Sequence, residues 1–501
     1  MKMNSRRDFL KGTGWMLGAA FAAGCASRGF KLAAGGTMQG FAAPAYPNGV
    51  RVGVIGLGAR GHWAMQRLAQ IPGLEITAIC DIRPARLAAE QAWRKEWGFR
   101  PVPHEFTGSE EAWRRLCECA DVDVVYSTTP WNLHVETGVY AMECGKHALI
   151  EVPAAMTVDD CWRLVETSER TRRHCMQLEN CCYGEAEMLC LNLCKLGMLG
   201  DLVHGEAAYI HDLRVSNYMT PEADGYKGYY RRWRLEWNAT HRGNQYPTHG
   251  LGPVCEYMDI NRGDRFESLV TMDSKQANFT AYAKAKFGPD SADARKSVAM
   301  GDMSTTVIRT ARGRSILLQH DVSSPRPYRR HNVLTGTRGC FTGIAFAEKP
   351  EDAFTMGNAC RFGWEEEPGA GVHRYFDFEK TKEMREKYRH PIWKQFGQVA
   401  AKVGGHGGMD FLMDLRWAYC LQNGLPLDMD VYDLATWCSV CELSDRSVRA
   451  GSVPQDVPDF TRGAWRTAPA YPINSFDLTK LDLSKFKPLK KTDVMDVRTG
   501  G

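Results

Sequence analysis

The sequence has almost no imbalance of charge: 63 Lys and Arg residues face 59 Asp and Glu residues, a formal net charge of +4 over 501 residues. No block of like charges forms a basic tail, which argues against a nucleic-acid partner. Internal repeats and low-complexity tracts are also missing. The hydrophobic share of 44% is typical of a globular protein, and the length is too great for one ordinary core, so two domains are expected.

A disulfide framework is absent too, although the chain has 17 cysteines. Their spacing is not that of a small disulfide-stapled domain. Cys438 and Cys441 form a C-x-x-C pair in an apolar helical stretch without a second pair, which favours buried thiols over a zinc or redox site. We expect reduced, buried thiols at Cys181 and Cys182 as well, and no metal site is predicted.

The apolar run nearest the N-terminus, 12–24, is too short and too rich in Gly and Ala to span a membrane well. The preceding Ser5-Arg6-Arg7-Asp8-Phe9-Leu10-Lys11 is typical of a twin-arginine export signal, with an ordinary secretory signal as the alternative. Ala22-Ala23-Gly24-Cys25 resembles a lipoprotein cleavage box, and lipidation of Cys25 and simple cleavage nearby both stay open. We expect export to the periplasm or cell envelope, with a lipid anchor at the membrane surface if Cys25 is acylated.

From Val50 onward, short apolar strands alternate with helices. Strands are predicted over 50–55, 74–80, 122–127 and 147–150, and helices from the Gly-rich turn to about 70, over 83–97 and over 133–144. This alternation predicts an α/β fold whose N-terminal domain, 49–180, is a Rossmann-type, doubly wound parallel sheet. The export signal is assigned to residues 1–25 and a linker to 26–48.

The pattern changes after about residue 180. Helices are predicted over 185–195, 409–422 and 431–443, and strands over 202–210, 266–272, 279–287 and 304–322, the last split by a hairpin turn at 312–314. We therefore expect a C-terminal α+β domain, 181–451, with a mostly antiparallel open sheet that covers a cofactor and builds a substrate pocket. The Pro-rich residues 452–501 are expected to wrap the surface.

A Gly-rich motif, Gly56-Leu57-Gly58-Ala59-Arg60-Gly61, follows the first strand and opens the first helix. Asp81 stands at the end of the second strand, 20 residues after Gly61. This context predicts a dinucleotide site, with the diphosphate on the helix N-terminus and Asp81 accepting hydrogen bonds from the ribose. The Asp81 carboxylate would repel a 2′-phosphate, which favours NAD; Arg83 keeps NADP open. Arg60 either contacts the diphosphate or caps a surface.

Two later segments resemble the Gfo/Idh/MocA superfamily of sugar oxidoreductases. They are Thr128-Thr129-Pro130-Trp131-Asn132-Leu133-His134, and Glu151-Val152-Pro153, where the superfamily carries Glu-Lys-Pro. In the sugar dehydrogenases of this superfamily, the lysine of Glu-Lys-Pro is a catalytic residue, and the resemblance places Val152 at its position. A valine cannot carry a proton, so Val152 argues against an ordinary sugar dehydrogenase.

Further blocks narrow the resemblance to glycoside hydrolase family 109 over nearly the whole mature chain. They are Glu179-Asn180-Cys181-Cys182-Tyr183, Trp233-Arg234, Tyr246-Pro247-Thr248-His249-Gly250-Leu251-Gly252-Pro253 and Gly405-His406-Gly407-Gly408-Met409-Asp410-Phe411. The resemblance implies hydrolysis of N-acetylhexosaminides, foremost terminal α-N-acetylgalactosamine. It implies a tightly held NAD that transiently oxidises sugar C3, followed by elimination, addition of water and re-reduction.

The resemblance also implies the site residues. His249 and Tyr246 are the catalytic pair, and Tyr209, Arg234 and Tyr328 join them in binding the sugar. The residues implied to line the cofactor are Gly56, Gly58, Ala59, Arg60, Gly61, Asp81, Trp131, Asn132, Leu133, His134, Glu151, Val152 and Asn180. The split of acid and base roles between His249 and Tyr246 stays open, and His406 either approaches the site or caps a helix.

Two other functions are compatible with these motifs. One is an exported sugar oxidoreductase with tightly bound NAD or NADP, and the other is a non-catalytic sugar-binding lipoprotein that keeps its cofactor for structure. Val152 and the Tyr246–Pro253 block favour the glycosidase over both. The sequence leaves open galacto against gluco configuration, α against β linkage, the natural aglycon, and whether the chain assembles into a homo-oligomer.

Overall fold

The computed structural model describes residues 36–219, 228–343, 360–471 and 473. The expected export signal, Cys25 and the last part of the C-terminal segment lie outside these residues. In the part of the chain that is described, no helix combines the length and the hydropathy needed to cross a bilayer.

The N-terminal domain is built on a six-stranded parallel sheet. Its strands are β1 (Val50–Ile55), β2 (Leu74–Cys80), β3 (His104–Phe106), β4 (Val124–Ser127), β5 (His147–Ile150) and β6 (Cys175–Gln177). The helices between them are α1 (Ala59–Leu68), α2 (Pro84–Glu96), α3 (Ala112–Glu118), α4 (Trp131–Glu143) and α5 (Val158–Thr171). The strand order β3-β2-β1-β4-β5-β6 is that of a Rossmann fold, as predicted.

The apolar sequences of these strands suit the interior of the domain. The strands β4 and β5 are buried along their whole length, and β1 and β2 along most of it, because helices cover both faces of the sheet. Parallel strands end at one edge, so the Gly-rich turn after β1 and the segments after β4, β5 and β6 meet there. Nearly all the expected cofactor residues are therefore placed at a single edge of the sheet.

The second domain carries an eight-stranded sheet. Its strands are β7 (Leu202–Ile210), β8 (Phe266–Asp273), β9 (Ser304–Thr310), β10 (Ser315–Asp321), β11 (Arg329–Gly336), β12 (Gly339–Gly343), β13 (Cys360–Trp364) and β14 (Gln455–Asp456). Only β7 and β10 pair in parallel, so the sheet is mostly antiparallel, as expected. The strand β14 shows that part of the C-terminal segment extends the sheet edge beside β8.

The helices of the second half frame this sheet and reach back to the first domain. They are α6 (Glu185–Lys195), α7 (Arg214–Tyr218), α8 (Trp233–Thr240), α9 (Thr248–Tyr257), α10 (Asn278–Phe287), α11 (Ala292–Arg295), α12 (Phe378–Tyr388), α13 (Pro391–Val403), α14 (Met409–Asn423) and α15 (Val431–Arg449). The helix α15 packs against both α5 and β8, and α14 packs against α1 and β1. The two sheets thus share helices and cannot move far apart without exposing buried surface.

One secondary-structure prediction is wrong: 279–287 forms the helix α10, not a strand. The alternating sequence F-T-A-Y-A-K-A-K-F resembles a strand, but its buried residues are Phe279 and Ala283, which are four apart on one helical face. The helix start is stabilised by a distant carboxylate, because Asp302 accepts hydrogen bonds from the backbone N–H groups of Ala277 and Asn278 at 2.9 and 3.1 Å. A local pattern cannot reveal that partner.

The cysteines of the described residues are free, and most of them are buried. Cys438 and Cys441 lie fully buried on α15, and Cys181 and Cys182 lie buried beside the second sheet. The expectation of reduced, buried thiols is consistent with these positions.

A buried ion pair in the core gives a stability prediction. Arg416 donates from Nε to Asp428 Oδ2 at 2.8 Å and from Nη2 to Oδ1 at 2.9 Å, with both side chains almost fully buried. In Asp428→Asn the guanidinium keeps its charge without a carboxylate, so we expect a loss of about 3–5 kcal/mol in unfolding free energy, measured by denaturant titration. Glu136→Gln, which breaks the half-exposed pair with Arg163, is the control and should leave the midpoint nearly unchanged. Equal midpoints for the two variants would contradict the prediction.

Candidate active site

At two positions of the Gly-rich turn, Gly56 and Gly61, the structure leaves no room for a side chain. Gly56 has φ +89°, and a Cβ there would lie 2.9 Å from the Thr128 carbonyl oxygen. At Gly61 a Cβ would lie only 1.9 Å from the Gly56 carbonyl oxygen, so α1 can pack against the turn only without a side chain. A Cβ on Gly58 would meet nothing within 4 Å, which leaves open space next to the backbone for a ligand.

The helix that follows this turn suits a diphosphate. No side chain caps the first N–H groups of α1, and its first turn contains no acidic residue. Asp81 lies at the end of β2 and accepts from the N–H groups of Leu57 at 2.8 Å and of Arg83 at 2.9 Å, which fixes the turn against the sheet. Its carboxylate is thus held beside the place where a ribose would lie. The described residues fit a dinucleotide.

The other expected cofactor residues follow β4, β5 and β6. Trp131, Asn132, Leu133 and His134 form the first turn of α4; Trp131 is buried, Leu133 half-buried and Asn132 exposed. His134 is oriented differently from the expectation, because Nδ1 lies 2.8 Å from the Pro153 carbonyl oxygen and Nε2 lies 2.7 Å from the Thr129 carbonyl oxygen. The imidazole therefore joins the two loops, and burial lowers its pKa.

Arg60 and Glu151 form an ion pair at the same edge. Arg60 Nε donates to Glu151 Oε1 at 2.6 Å, and Nη1 donates to Asp410 Oδ2 at 2.8 Å. Arg60 therefore does more than cap a surface: it joins the Gly-rich turn to α14 of the second half. Val152 is buried next to Glu151.

Tyr246 and His249, the residues expected to form the catalytic pair, lie close together. Tyr246 precedes α9 and His249 lies in its first turn; Tyr246 Oη and His249 Nε2 are 3.5 Å apart. His249 Nδ1 lies 2.7 Å from Glu179 Oε1, and that oxygen also accepts from the Cys181 N–H at 3.0 Å. Nδ1 therefore carries its proton toward Glu179, which leaves Nε2 to face the pocket.

The charge states of this group follow from burial and neighbours. Burial opposes ionisation of Glu179, but the charge and the hydrogen bond of His249 outweigh it and hold the pKa of Glu179 below its usual value. Burial and the neighbouring Tyr209 raise the pKa of Tyr246 well above its usual value, so Tyr246 acts as a neutral hydroxyl. The pair thus offers an oriented imidazole with a phenol beside it.

Arg234 is a buried cation enclosed by aromatic rings. Its guanidinium carbon lies 4.9 Å from the ring centre of Tyr246, 5.0 Å from Trp131 and 5.9 Å from Tyr209. Nη1 donates to Tyr229 Oη at 3.0 Å, while Nε and Nη2 are buried with no partner among the described residues. Two unsatisfied donors in a buried pocket indicate that an oxygen of a ligand belongs there.

The remaining sugar-binding candidates continue this aromatic wall. The Tyr209 ring centre lies 4.4 Å from that of Tyr246 and 6.0 Å from that of Tyr328. Tyr209 Oη lies 3.0 Å from His211 Nδ1. Burial, followed by the positive charges of Arg234, His406 and His249, lowers the pKa of His211 to about 3. All five expected catalytic and sugar-binding residues therefore lie in one cluster of side chains, with His211 as an unpredicted neighbour.

A second histidine–carboxylate pair lies near the first. His406 Nδ1 is 3.0 Å from Asp410 Oδ2, and Asn180 Nδ2 donates to Asp410 Oδ1. Asn180 is the first residue of a 3₁₀ turn, Asn180–Tyr183, and Glu179 is the cap of that turn. Two neighbouring residues therefore contact the two histidine–carboxylate pairs. Burial opposes ionisation of Asp410, but Arg60 and His406 hold its pKa well below its usual value.

The sequence analysis missed Glu179, His211, Tyr229 and Asp410, and left His406 undecided. Two local signals were available. Glu179 follows β6 at the edge where the other site residues gather, and His406 and Asp410 are four residues apart before a helix. His211 and Tyr229 bind Tyr209 and Arg234, which are two and five residues away along the chain, but no sequence motif marks either pair.

The glycines of the turn give a prediction in which two similar substitutions differ. Gly61→Ala forces Cβ into the Gly56 carbonyl oxygen, so we expect a loss of about 1–3 kcal/mol or more in stability, with or without NAD. Gly58→Ala meets open space in the protein, so stability without NAD should be unchanged while affinity for NAD falls about tenfold or more. Thermal unfolding and NAD titration of both variants check this; unimpaired NAD binding by Gly58→Ala would contradict the assignment.

Two family models match consecutive parts of the chain. A family model described as "Glycosyl hydrolase 109, C-terminal domain" matches residues 183–467. A second model, described as "Oxidoreductase family, NAD-binding Rossmann fold", matches residues 50–178. The N-terminal domain is therefore an NAD-binding Rossmann domain.

Solved structures resemble the chain at the level of the fold. Levoglucosan dehydrogenase in complex with NADH and levoglucosan superimposes with a TM-score of 0.59 at 17% identity, covering 82% of this chain and 100% of that one. Scyllo-inositol dehydrogenase from Lactobacillus casei, with bound cofactor and scyllo-inositol, gives a TM-score of 0.54 at 12% identity and covers 81% of this chain.

Curated relatives are much closer in sequence. "Glycosyl hydrolase family 109 protein" from Porphyromonas gingivalis is 47% identical over 426 residues, 84% of this chain and 86% of its own length. "Alpha-N-acetylgalactosaminidase" from Bacteroides fragilis is 46% identical over 430 residues, 86% of this chain and 96% of its own length. The chain belongs to glycosyl hydrolase family 109.

Proposed function

We propose that this enzyme hydrolyses terminal N-acetylhexosaminides, foremost α-N-acetylgalactosaminides, with NAD retained in its Rossmann domain. The observation that carries the proposal is the arrangement of two histidine–carboxylate pairs around one aromatic cleft with an unsatisfied arginine. Glu179 and Asn180 hold His249 and Asp410 from one turn, beside the edge where the Gly-rich motif lies.

NAD bound at the Gly-rich turn supplies a hydride acceptor, and later a hydride donor, for carbon 3 of the sugar. Gly58, the first turn of α1 and Asp81 would hold its diphosphate and ribose, and Trp131 and Val152 would border its other end. The chain's own contribution is to orient the sugar and to move protons at carbons 1, 2 and 3.

His249 is the base of this proposal. Glu179 fixes the proton on Nδ1, so the lone pair on Nε2 is available to the pocket. From there it takes the proton of the C3 hydroxyl, releases it through the Tyr246 hydroxyl to solvent, and is then free to take the acidic proton at C2; a proton returns to C2 when water adds at C1. Tyr246, with Oη 3.5 Å from Nε2, donates a hydrogen bond to the sugar oxygen and passes protons to and from the imidazole.

His406 is the acid at the leaving oxygen. Loss of the C2 proton expels the substituent at C1, and a poor leaving group departs only if its oxygen gains a proton. His406 has a carboxylate partner in Asp410 and a half-buried side chain, and its Nδ1 lies 3.5 Å from Nδ2 of Asn180, the residue next to the partner of His249. Its conformation, with φ +47°, is strained for a residue other than glycine, as is common at functional sites.

Arg234 stabilises negative charge on the sugar. Its free Nε and Nη2 donors lie in a buried pocket, where hydrogen bonds to a developing enolate oxygen are strong. Tyr209 and Tyr328 present ring faces and hydroxyls that suit a sugar with an acetamido group.

The choice of substrate draws on the relative named alpha-N-acetylgalactosaminidase from Bacteroides fragilis. The alternative, net oxidation of a free sugar, is less well supported because Val152 replaces the lysine that the dehydrogenases of the superfamily use. We further propose that the enzyme acts in the periplasm or cell envelope. The support is the S-R-R-x-F-L-K string, since twin-arginine export carries folded proteins and would allow NAD to travel inside.

A release assay tests the activity. The mature chain is purified without added cofactor, its NAD and NADP contents are measured, and p-nitrophenyl α- and β-N-acetylgalactosaminides and N-acetylglucosaminides are supplied in D2O. We expect NAD to copurify, nitrophenol to be released from the α-galacto compound, deuterium to enter C2 of the product, and no net NADH to form. Steady NADH formation from a free sugar without release of nitrophenol would replace the proposal with the oxidoreductase.

The two histidine pairs should differ in their sensitivity to the leaving group. Glu179→Gln disorients the base, so we expect turnover of nitrophenyl and methyl glycosides to fall together by about a hundredfold or more. His406→Ala removes the acid, so methyl glycosides should lose about a hundredfold or more while nitrophenyl glycosides lose far less. His104→Ala, at an exposed histidine paired with Asp121, is the control and should match the wild type. Equal losses on both glycosides in His406→Ala would refute the role of the acid.

A further inference from the structure

Arg60 belongs to the Gly-rich motif but has two partners outside it. It is the second residue of α1, at the helix end where the diphosphate is expected. Its side chain is only 23% exposed and joins Glu151, after β5, to Asp410, at the start of α14. An arginine in this motif has no need to reach the second half of the chain in order to bind a phosphate.

Asp410 is also the partner of His406. Its Oδ2 lies 2.8 Å from Arg60 Nη1 and 3.0 Å from His406 Nδ1, so one oxygen serves both cations. Asn180 binds the other oxygen, and Arg67 Nη1 lies 3.5 Å from Oδ2. A shift of the Arg60 guanidinium therefore changes the hydrogen bonds and the field that hold His406.

The segment that carries His406, Gly404–Gly408, is buried at both ends, and Gly408 lies against Ala400 of α13, but His406 and Gly407 between them are less buried. All five residues have positive φ. Its backbone bonds are local, such as Gly408 N–H to the Gly405 carbonyl at 2.9 Å. Among the described residues, the side-chain hydrogen bonds of this segment are those of His406 with Asp410 and Asn180. Within the segment, the placement of the His406 side chain thus depends on the Asp410 carboxylate.

We propose that Arg60 is a positioning residue that makes the order of the Gly404–Gly408 segment depend on bound NAD. Nε and Nη1 of Arg60 are used by Glu151 and Asp410, and Nη2 has no hydrogen-bond partner in the part of the chain that is described. A diphosphate oxygen on the first turn of α1 binds Nη2 and fixes the guanidinium. The fixed guanidinium then holds Asp410, and Asp410 holds His406.

The consequence rests on the proposed function, because it concerns the acid of that mechanism. With NAD absent, Arg60 is held only by Glu151 and Asp410, and the segment opens more often; with NAD present, the third contact of Arg60 keeps His406 in place. The acid is then in place only when the hydride acceptor is also there. A chain without cofactor would bind the sugar without an ordered acid.

Hydrogen exchange of the full chain tests the coupling without any glycoside. The chain is stripped of cofactor, half is refilled with NAD, and exchange of peptides covering 404–410 and 431–449 is followed by mass spectrometry. In the wild type we expect NAD to slow exchange in 404–410 roughly tenfold, within the usual range for coupling between two sites, and to leave α15 unchanged. Equal exchange in both forms would overturn the proposal.

Two variants and a control locate the coupling. Arg60→Gln, saturated with NAD, and Asp410→Asn, which keeps Arg60 and so its proposed diphosphate contact, should each reduce the NAD effect on 404–410 to less than about twofold. Arg51→Gln removes a half-exposed arginine–carboxylate pair at the other end of β1 and should behave as the wild type. A wild-type NAD effect in Arg60→Gln or in Asp410→Asn would refute the route through these residues. An enzyme inert on all glycosides that still shows the NAD effect would overturn the proposed function and leave this inference standing.

Discussion

The shape of the active site depends on one buried carboxylate, that of Asp410, remaining ionised. Burial alone would favour its neutral form, and an uncharged acid could not hold two cations and an amide at once. Arg60, His406 and the more distant Arg67 supply the compensating charge, and the pKa of Asp410 is held well below its usual value. The cofactor motif, the start of α14 and the loop before it are therefore connected through a single side chain.

The second constraint is that two consecutive residues of the chain contact both histidine–carboxylate pairs. Glu179 and Asn180 are consecutive, one holding His249 directly and the other holding the partner of His406. The turn that begins at Asn180, with Glu179 as its cap, therefore connects the partner of His249 to the partner of His406. The proposed elimination needs proton transfers at adjacent carbons, and two histidine–carboxylate pairs held from one turn suit it.

Short motifs that are contiguous in sequence were enough to predict the parallel sheet. They also predicted that the candidate site residues lie close together. Gly56, Gly58 and Gly61 identify a turn whose steric demands are local, and Tyr246 and His249 are close enough to share a helix start. Prediction failed where a residue's partner is remote in sequence. The sequence of 279–287 does not indicate a helix, and the start of that helix is bound by the distant Asp302. Likewise, Glu179 and His249 are 70 residues apart. The two carbonyl contacts of His134 likewise depend on how two loops meet, which no single segment encodes.

The Gly404–Gly408 segment has one more consequence, which concerns handedness. Five successive residues with positive φ trace a path that is natural for D-amino acids and costly for every L-residue with a side chain. Glycine is achiral and is the only genetically encoded residue that adopts positive φ without this cost. The G-G-H-G-G string is therefore what a backbone of this handedness requires. His406 is the one chiral residue that accepts this cost. A semisynthetic enzyme with D-alanine at position 407 would keep the path and lose the freedom to leave it.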